Sequence, residues 1–270
     1  MSGAIMTPIL SQFPTSQELN ADPGLTVPPQ ASVVRKAVDV LAMLIAFYGS
    51  QIAAIYVKPI AMFVPKSIYM AHDWIGYFDH HLVQFLFALV LIALLGRGKF
   101  SQFGLNLSNA RISWRIFVVF SLVCSAVVFF VNVVPVLVSH QRPTFDYQLT
   151  PANIAGWLAF EWIFVGISEE ILFRGLIQTY LSRSWRSAVT IGRVTIPTAG
   201  ILTTLIFCLA HINLRHPQLD WGQQIWVFGM GIYYSTAFYR TKSLLNPILA
   251  HNFSDGLVFT VVYLLYWGMR

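Results

Sequence analysis

Between residues 37 and 267 the chain is a series of long apolar runs separated by short connections that carry Arg, Lys, Pro or Asn. A hydrocarbon core of about 30 Å is crossed by roughly 20 helical residues rising ~1.5 Å each. Runs of that kind fall at 37–57, 78–95, 116–138, 151–181, 197–211, 222–239 and 246–267. The pattern predicts an all-α fold: a polytopic transmembrane helical bundle of about seven spans, or eight with an interfacial or re-entrant segment. Thr150 before Pro151, Pro197, and Asn246 before Pro247 mark helix starts, because a cap residue or first-turn proline suits a helix N-terminus. The fourth run has no proline after Pro151 and would extend ~46 Å as one helix. It must tilt, break or protrude, and its amphipathic C-terminal end is expected to protrude.

Outside these runs the pattern changes. Residues 1–32 are polar and hold Pro8, Pro14, Pro23, Pro28 and Pro29; they read as a disordered tail, with no cationic segment leading into an apolar core as a signal peptide would have. Residues 33–270 form the membrane domain. Asp39 near the start of the first run is tolerable at headgroup depth beside a positive helix terminus. Tyr69, Trp74 and Tyr77 form an interfacial aromatic cluster, and His80 and His81 read as interfacial at the mouth of the second run. No internal repeat is evident.

Composition agrees with the pattern. The chain is 56% hydrophobic and 10% charged, with mean hydropathy +0.64, far from the quarter-charged make-up of soluble domains. The net charge of +6 comes from scattered cations with no basic run, so it reads as loop charge facing anionic lipid rather than a nucleic-acid surface. Arg35, Lys36, Arg97, Lys99, Arg111, Arg115, Arg183, Arg186, Arg193, Arg240 and Lys242 fall on one side of the predicted bundle; Lys58, Lys66, Arg142, Arg215 and Arg270 fall on the other. The excess places the N-terminus in the cytoplasm, in a multi-pass protein of the plasma (inner) membrane if the source is bacterial. Cys124 and Cys208 lie within apolar runs and read as small buried hydrophobes, with no disulfide or CxxC spacing.

The fourth run holds the first sign of chemistry. Glu169, Glu170 and Arg174 interrupt it, although a charge at the bilayer centre costs ~2.5 kcal/mol or more. Glu170 and Arg174 are four apart and can pair on one helix face. Glu169 points about 100° away and gains no such partner. A buried carboxylate without a partner holds its proton more readily, which suits a general base or acid near neutral pH. Two later runs carry Phe207 with His211, and His251 with Asp255, each pair one helical turn apart.

The three motifs, EExxxR at Glu169 to Arg174, FxxxH at Phe207 to His211, and His251 with a polar residue four positions on, occur in order on separate runs. They resemble the CPBP family, the CAAX prenyl proteases of the Rce1 type and their bacterial relatives, also called Abi proteins. The resemblance covers about residues 100–265, and Phe103-Gly104-Leu105 is similar to bacterial members. It implies an intramembrane endopeptidase acting on a membrane-embedded or lipidated protein or peptide. Glu169 would activate water with His211 as its partner, His251 and Asp255 would hold the oxyanion or orient the water, and Glu170, Arg174 and Phe207 would support them. Asp255 stands where Asn is common. It is protonated by burial, or it orients His251 through a ring N–H, or it ligates metal. Glu169, His211, His251 and Asp255 have the chemistry for Zn²⁺, but no HExxH is present, so a metal-free, glutamate-activated water is expected. Two other readings remain. A proton- or ion-coupled transporter also places Glu, Arg and His in the membrane, though the duplicated halves common in such proteins are not evident. A non-catalytic scaffold or bacteriocin-immunity protein would not need Glu169, His211 and His251 intact, whereas an immunity role that uses proteolysis would.

Overall fold

The computed structural model describes residues 31–212 and 219–269. The expected N-terminal tail therefore lies outside the described residues except for its last two positions, and so does most of the loop that carries Arg215. Helices occupy all seven apolar runs. They are α1, Val33–Tyr56; a short α2, Lys66–Ala71; α3, Asp73–Gly96; α4, Ala110–Ser139; α5, residues 151–181; α6, Thr198–Ala210; α7, Trp221–Thr241; and α8, Leu245–Gly268. Among the described residues, four stretches are long and apolar enough to cross a membrane: Val33–Met62, Asp73–Gly96, Ala110–Ser139 and Leu245–Gly268. Ser32, Thr150 and Asp220 cap α1, α5 and α7 by accepting hydrogen bonds from backbone N–H groups three residues on, satisfying donors that a helix start leaves free.

Polarity is distributed inside out. Val119, Leu122, Val123, Phe130 and Val131 on α4 and Leu41, Ile45, Ile52 and Ile55 on α1 face outward, while Glu170, Arg174, Asn246, Thr203 and Ser235 are buried. A water-soluble globule would reverse this arrangement; hydrocarbon contact explains it. The chain is an integral membrane protein.

The helix α5 is the axis of the bundle. It passes through α-helical Pro151–Ala159, π-helical Phe160–Phe164, α-helical Val165–Glu170, π-helical Ile171–Gln178 and a last turn Thr179–Leu181, and it packs against α1, α3, α6, α7 and α8. Leu172, Phe173, Leu176, Ile177 and Leu181 are sealed in the main core with Phe47 of α1, Ile92 of α3 and Phe207 of α6. The C-terminal end of α5 is thus enclosed rather than protruding: its polar residues, which made it look amphipathic, face neighbouring helices instead of water. Asp39 also differs from expectation. It is buried and paired with Arg35 at 3.0 Å, so its charge is met by a side chain.

Two connections complete one end of the molecule. The segment after α5 forms an antiparallel hairpin, β1 Ala188–Ile191 and β2 Val194–Pro197, around Gly192 and Arg193; this small sheet was not expected in an all-α fold. Phe103, Gly104 and Leu105 join the α3–α4 connection to the α7–α8 turn. Gly104 has φ +81° and its carbonyl accepts from Leu244 N at 2.9 Å. A Cβ at Gly104 would lie 2.3 Å from the Phe238 ring, so glycine is required there both by backbone conformation and by space.

Candidate active site

The polar stripe of α5 was legible in its spacing. Arg174 Nη1 donates to Glu170 Oε1 at 2.9 Å and Nη2 to the Gly231 carbonyl at 3.0 Å, and one turn on Gln178 Nε2 donates to the Ser235 carbonyl at 3.0 Å. Glu170 and Arg174 are completely buried, and the guanidinium also lies over the rings of Phe207 and Tyr234, 4.7 and 5.1 Å from their centres. Charges this deep persist only when they are matched, and α7 supplies backbone oxygens to the stripe, although Arg174 Nε and Glu170 Oε2 have no hydrogen-bond partner among the described residues.

His251 of α8 joins this stripe. Its Nδ1 donates to Glu170 Oε1 at 2.8 Å, and the Tyr234 ring stacks on it at 4.9 Å with the planes 13° apart. On the other side of the ring, Nε2 lies 3.2 Å from Asp255 Oδ2 and 3.7 Å from Glu169 Oε2. Asp255 also accepts from Ser254 Oγ at 3.0 Å. Its carboxylate therefore stands beside the His251 ring.

Glu169 is placed differently from its neighbour. Oε1 is 3.8 Å from His81 Nδ1 and Oε2 is 3.7 Å from His251 Nε2, both beyond hydrogen-bond range, and Oε2 has no hydrogen-bond partner among the described residues. The carboxylate is flanked by imidazoles but committed to neither. It lines a cavity of about 1170 Å³, and so does His211. His211 caps the C-terminus of α6, and its Nδ1 donates to the Phe207 carbonyl at 2.9 Å. A carbonyl can only accept, so Nδ1 carries hydrogen and Nε2 remains for other partners. The Phe207 ring packs edge-on against both His211 and His251.

Three residues at the site, His81, Asn252 and Glu161, had been given no chemical role. His81 is buried rather than interfacial, and its Nδ1 lies 2.9 Å from Ser168 Oγ. Ser168 donates its own hydrogen to Val165 O at 2.8 Å, so it accepts from His81. Asn252 accepts from Gly166 N at 2.7 Å and donates to Ile163 O at 3.0 Å, tying α8 to the backbone beside the first π-segment of α5. Glu161, within that π-segment, is buried as well. Such segments are frequent at functional sites.

The cavity has two kinds of wall. Gln51, Lys58, His80, Gln84 and Gln223 are polar, whereas Phe145, Tyr147, Trp157 and Phe259 are aromatic. Tyr147 shares a hydrogen bond of 2.6 Å with Tyr263, and burial raises its phenol pKa above the ordinary value.

The donor set does not fit a zinc ion. Among the described residues, no three His, Cys, Asp or Glu side chains are grouped to hold a metal, and both nitrogens of His251 already face carboxylates. No curated protein and no solved structure matches the chain. Residues 151–264, from the start of α5 to near the end of α8, match the family model of the type II CAAX prenyl endopeptidases, Rce1-like, the family that the three motifs resemble.

Proposed function

We propose that this protein is an intramembrane endopeptidase in which Glu169 activates the attacking water. The observation that carries the reading is that Glu169 and His211, brought from separate helices, line one cavity while Glu169 keeps an unpartnered oxygen. In the reaction, Glu169 takes a proton from water as the oxygen attacks the carbonyl carbon of the scissile bond. His211, held by Phe207 O through Nδ1, presents Nε2 to the cavity; it takes the water's proton on from Glu169, donates to the oxyanion, and passes that proton to the departing amine as the C–N bond breaks. Base catalysis contributes ~10²–10⁴-fold and an oxyanion donor ~10²–10³-fold. His251, fixed between Glu170 and Asp255, positions the Glu169 carboxylate. With α5, α7 and the segment around α6 the chain would cross the bilayer seven times, its N-terminus on the cytoplasmic side that the distribution of cations favours.

The test is turnover of fluorogenic peptides, farnesylated and unmodified, by detergent-solubilised protein. Wild type is expected to cleave at least one of them. Glu169→Gln and His211→Ala are expected to lose ~10³-fold and ~10²-fold in kcat while still eluting as folded protein. Full turnover by Glu169→Gln would remove the proposed base.

A further inference from the structure

We infer that the cavity opens on the non-cytoplasmic face and takes its substrate there. The inference rests on the protease reading for the word substrate, but its geometry is independent of that reading.

One end of the bundle is basic and closed. Lys36 at the start of α1 lies over the Trp185 ring, and Trp185 Nε1 donates to Lys36 O. Asn106 and Asn109, at the far end of the α3–α4 connection, donate to Lys242 O and Thr241 O. The α1 start, the α3–α4 connection, the α5 end and the α7–α8 turn therefore meet on one face. That face carries Arg97, Lys99, Arg186, Arg193, Arg240 and Lys242, and such cation-rich loops are retained in the cytoplasm.

The cavity is built from the opposite ends. Lys58 follows the last turn of α1, Asp73 opens α3, Phe145 lies in the connection after α4, Gln223 is in the first turn of α7, and Val262 is in the last third of α8. No residue of the basic face lines it. The short helix α6 explains how the cavity reaches depth. Its 13 residues rise only ~20 Å, so starting from the basic face it stops within the bundle, where His211 lines the cavity together with Glu169. A polypeptide reaches Glu169 from the side where Phe145, Tyr147 and Trp157 offer apolar aromatic contact. The matching substrate class is a hydrophobic or lipid-bearing segment of an exported or membrane-anchored protein that emerges at the outer surface.

The experiment places single cysteines in full-length protein carrying Cys124→Ala and Cys208→Ala, expressed in a bacterial inner membrane. Thr144→Cys sits in the cavity lining and Ile191→Cys on the exposed hairpin. With a thiol reagent that cannot cross the inner membrane, added to cells whose outer membrane is permeabilised, Thr144→Cys is expected to label at once. Ile191→Cys is expected to label only after the inner membrane is permeabilised too. The reverse pattern would overturn the inference. In parallel, a membrane-impermeant peptide that is cleaved in detergent is expected to be cleaved by right-side-out vesicles and not by sealed inverted ones. If labelling follows the expected pattern while the peptide survives even in detergent, the face assignment stands and the peptidase reading falls.

Discussion

Nδ1 of His251 lies 2.8 Å from Oε1 of Glu170, although 81 residues separate them in the chain. The same oxygen accepts from Arg174 Nη1 at 2.9 Å. One carboxylate thus couples the structural stripe of α5 to the imidazole that faces Glu169, and damage to the stripe is transmitted to the site.

Arg174→Ala would leave His251 as the one remaining side-chain partner of the Glu170 carboxylate among the described residues, at 0% exposure. Breaking a buried pair on one side costs ~3–5 kcal/mol, enough to unfold many domains. Thermal unfolding in detergent is expected to show a large drop in Tm. Arg174→Met paired with Glu170→Gln should recover much of that stability without recovering activity. An unchanged Tm for Arg174→Ala would mean that the pair is not closed to solvent.

His81 reaches the site through two contacts, Ser168 Oγ at 2.9 Å and Glu169 Oε1 at 3.8 Å. Its removal is expected to misplace the Glu169 carboxylate and to lower kcat by up to ~10²-fold, with little change in KM. Steady-state kinetics of His81→Ala decide this; unaltered kcat would assign His81 to packing alone.

The helices at the seven apolar runs were legible because lipid imposes a simple rule: long apolar runs bounded by polar connections. Glu170 and Arg174 were legible because a helical pair four apart is a local geometric fact. His81 was not, since a pair of histidines near a helix end carries no local mark of which ring turns inward; only the packing of α3 on α5 decides it. The hairpin did leave a signal in Val189-Thr190-Ile191 and Val194-Thr195-Ile196 flanking Gly192-Arg193, β-branched runs around a two-residue turn. The run of cations there masked it. That Glu169 and His211 line one cavity depends on α6 ending where it does, a tertiary relation that spacing along the chain does not encode.

Chelation gives a sharp test of the donor set. His251 uses both ring nitrogens on carboxylates, and His81 and His211 each commit Nδ1 to an oxygen acceptor. Dialysis against a strong chelator is expected to leave peptide turnover unchanged. Loss of activity restored by added Zn²⁺ would require these hydrogen bonds to be broken in the working enzyme.

Close approach of α5 and α8 depends on Gly166. A Cβ there would stand 2.6 Å from Asn252 Oδ1 and 2.9 Å from His251 Cβ, so Gly166→Ala must push α8 outward. Overpacking of this sort costs ~1–3 kcal/mol, and His251 would move with the helix. Both a lower Tm and a lower kcat are expected; a variant with native values of each would show that the two helices have slack.

Asp255 provides the most discriminating substitution. Its Oδ2 accepts from His251 Nε2 at 3.2 Å and its Oδ1 from Ser254 Oγ at 3.0 Å, so what the site draws from it is acceptor oxygen aimed at a ring N–H. Asn keeps one such oxygen at the same reach, whereas Ala keeps none. If Asp255 acts by orienting His251, Asp255→Asn retains turnover within about tenfold of wild type and Asp255→Ala falls ~10²-fold, the cost of a misplaced group. If instead the negative charge is what matters, the two variants fall together. Measuring kcat for both at one pH separates the cases, because they differ in hydrogen bonding but share the loss of charge.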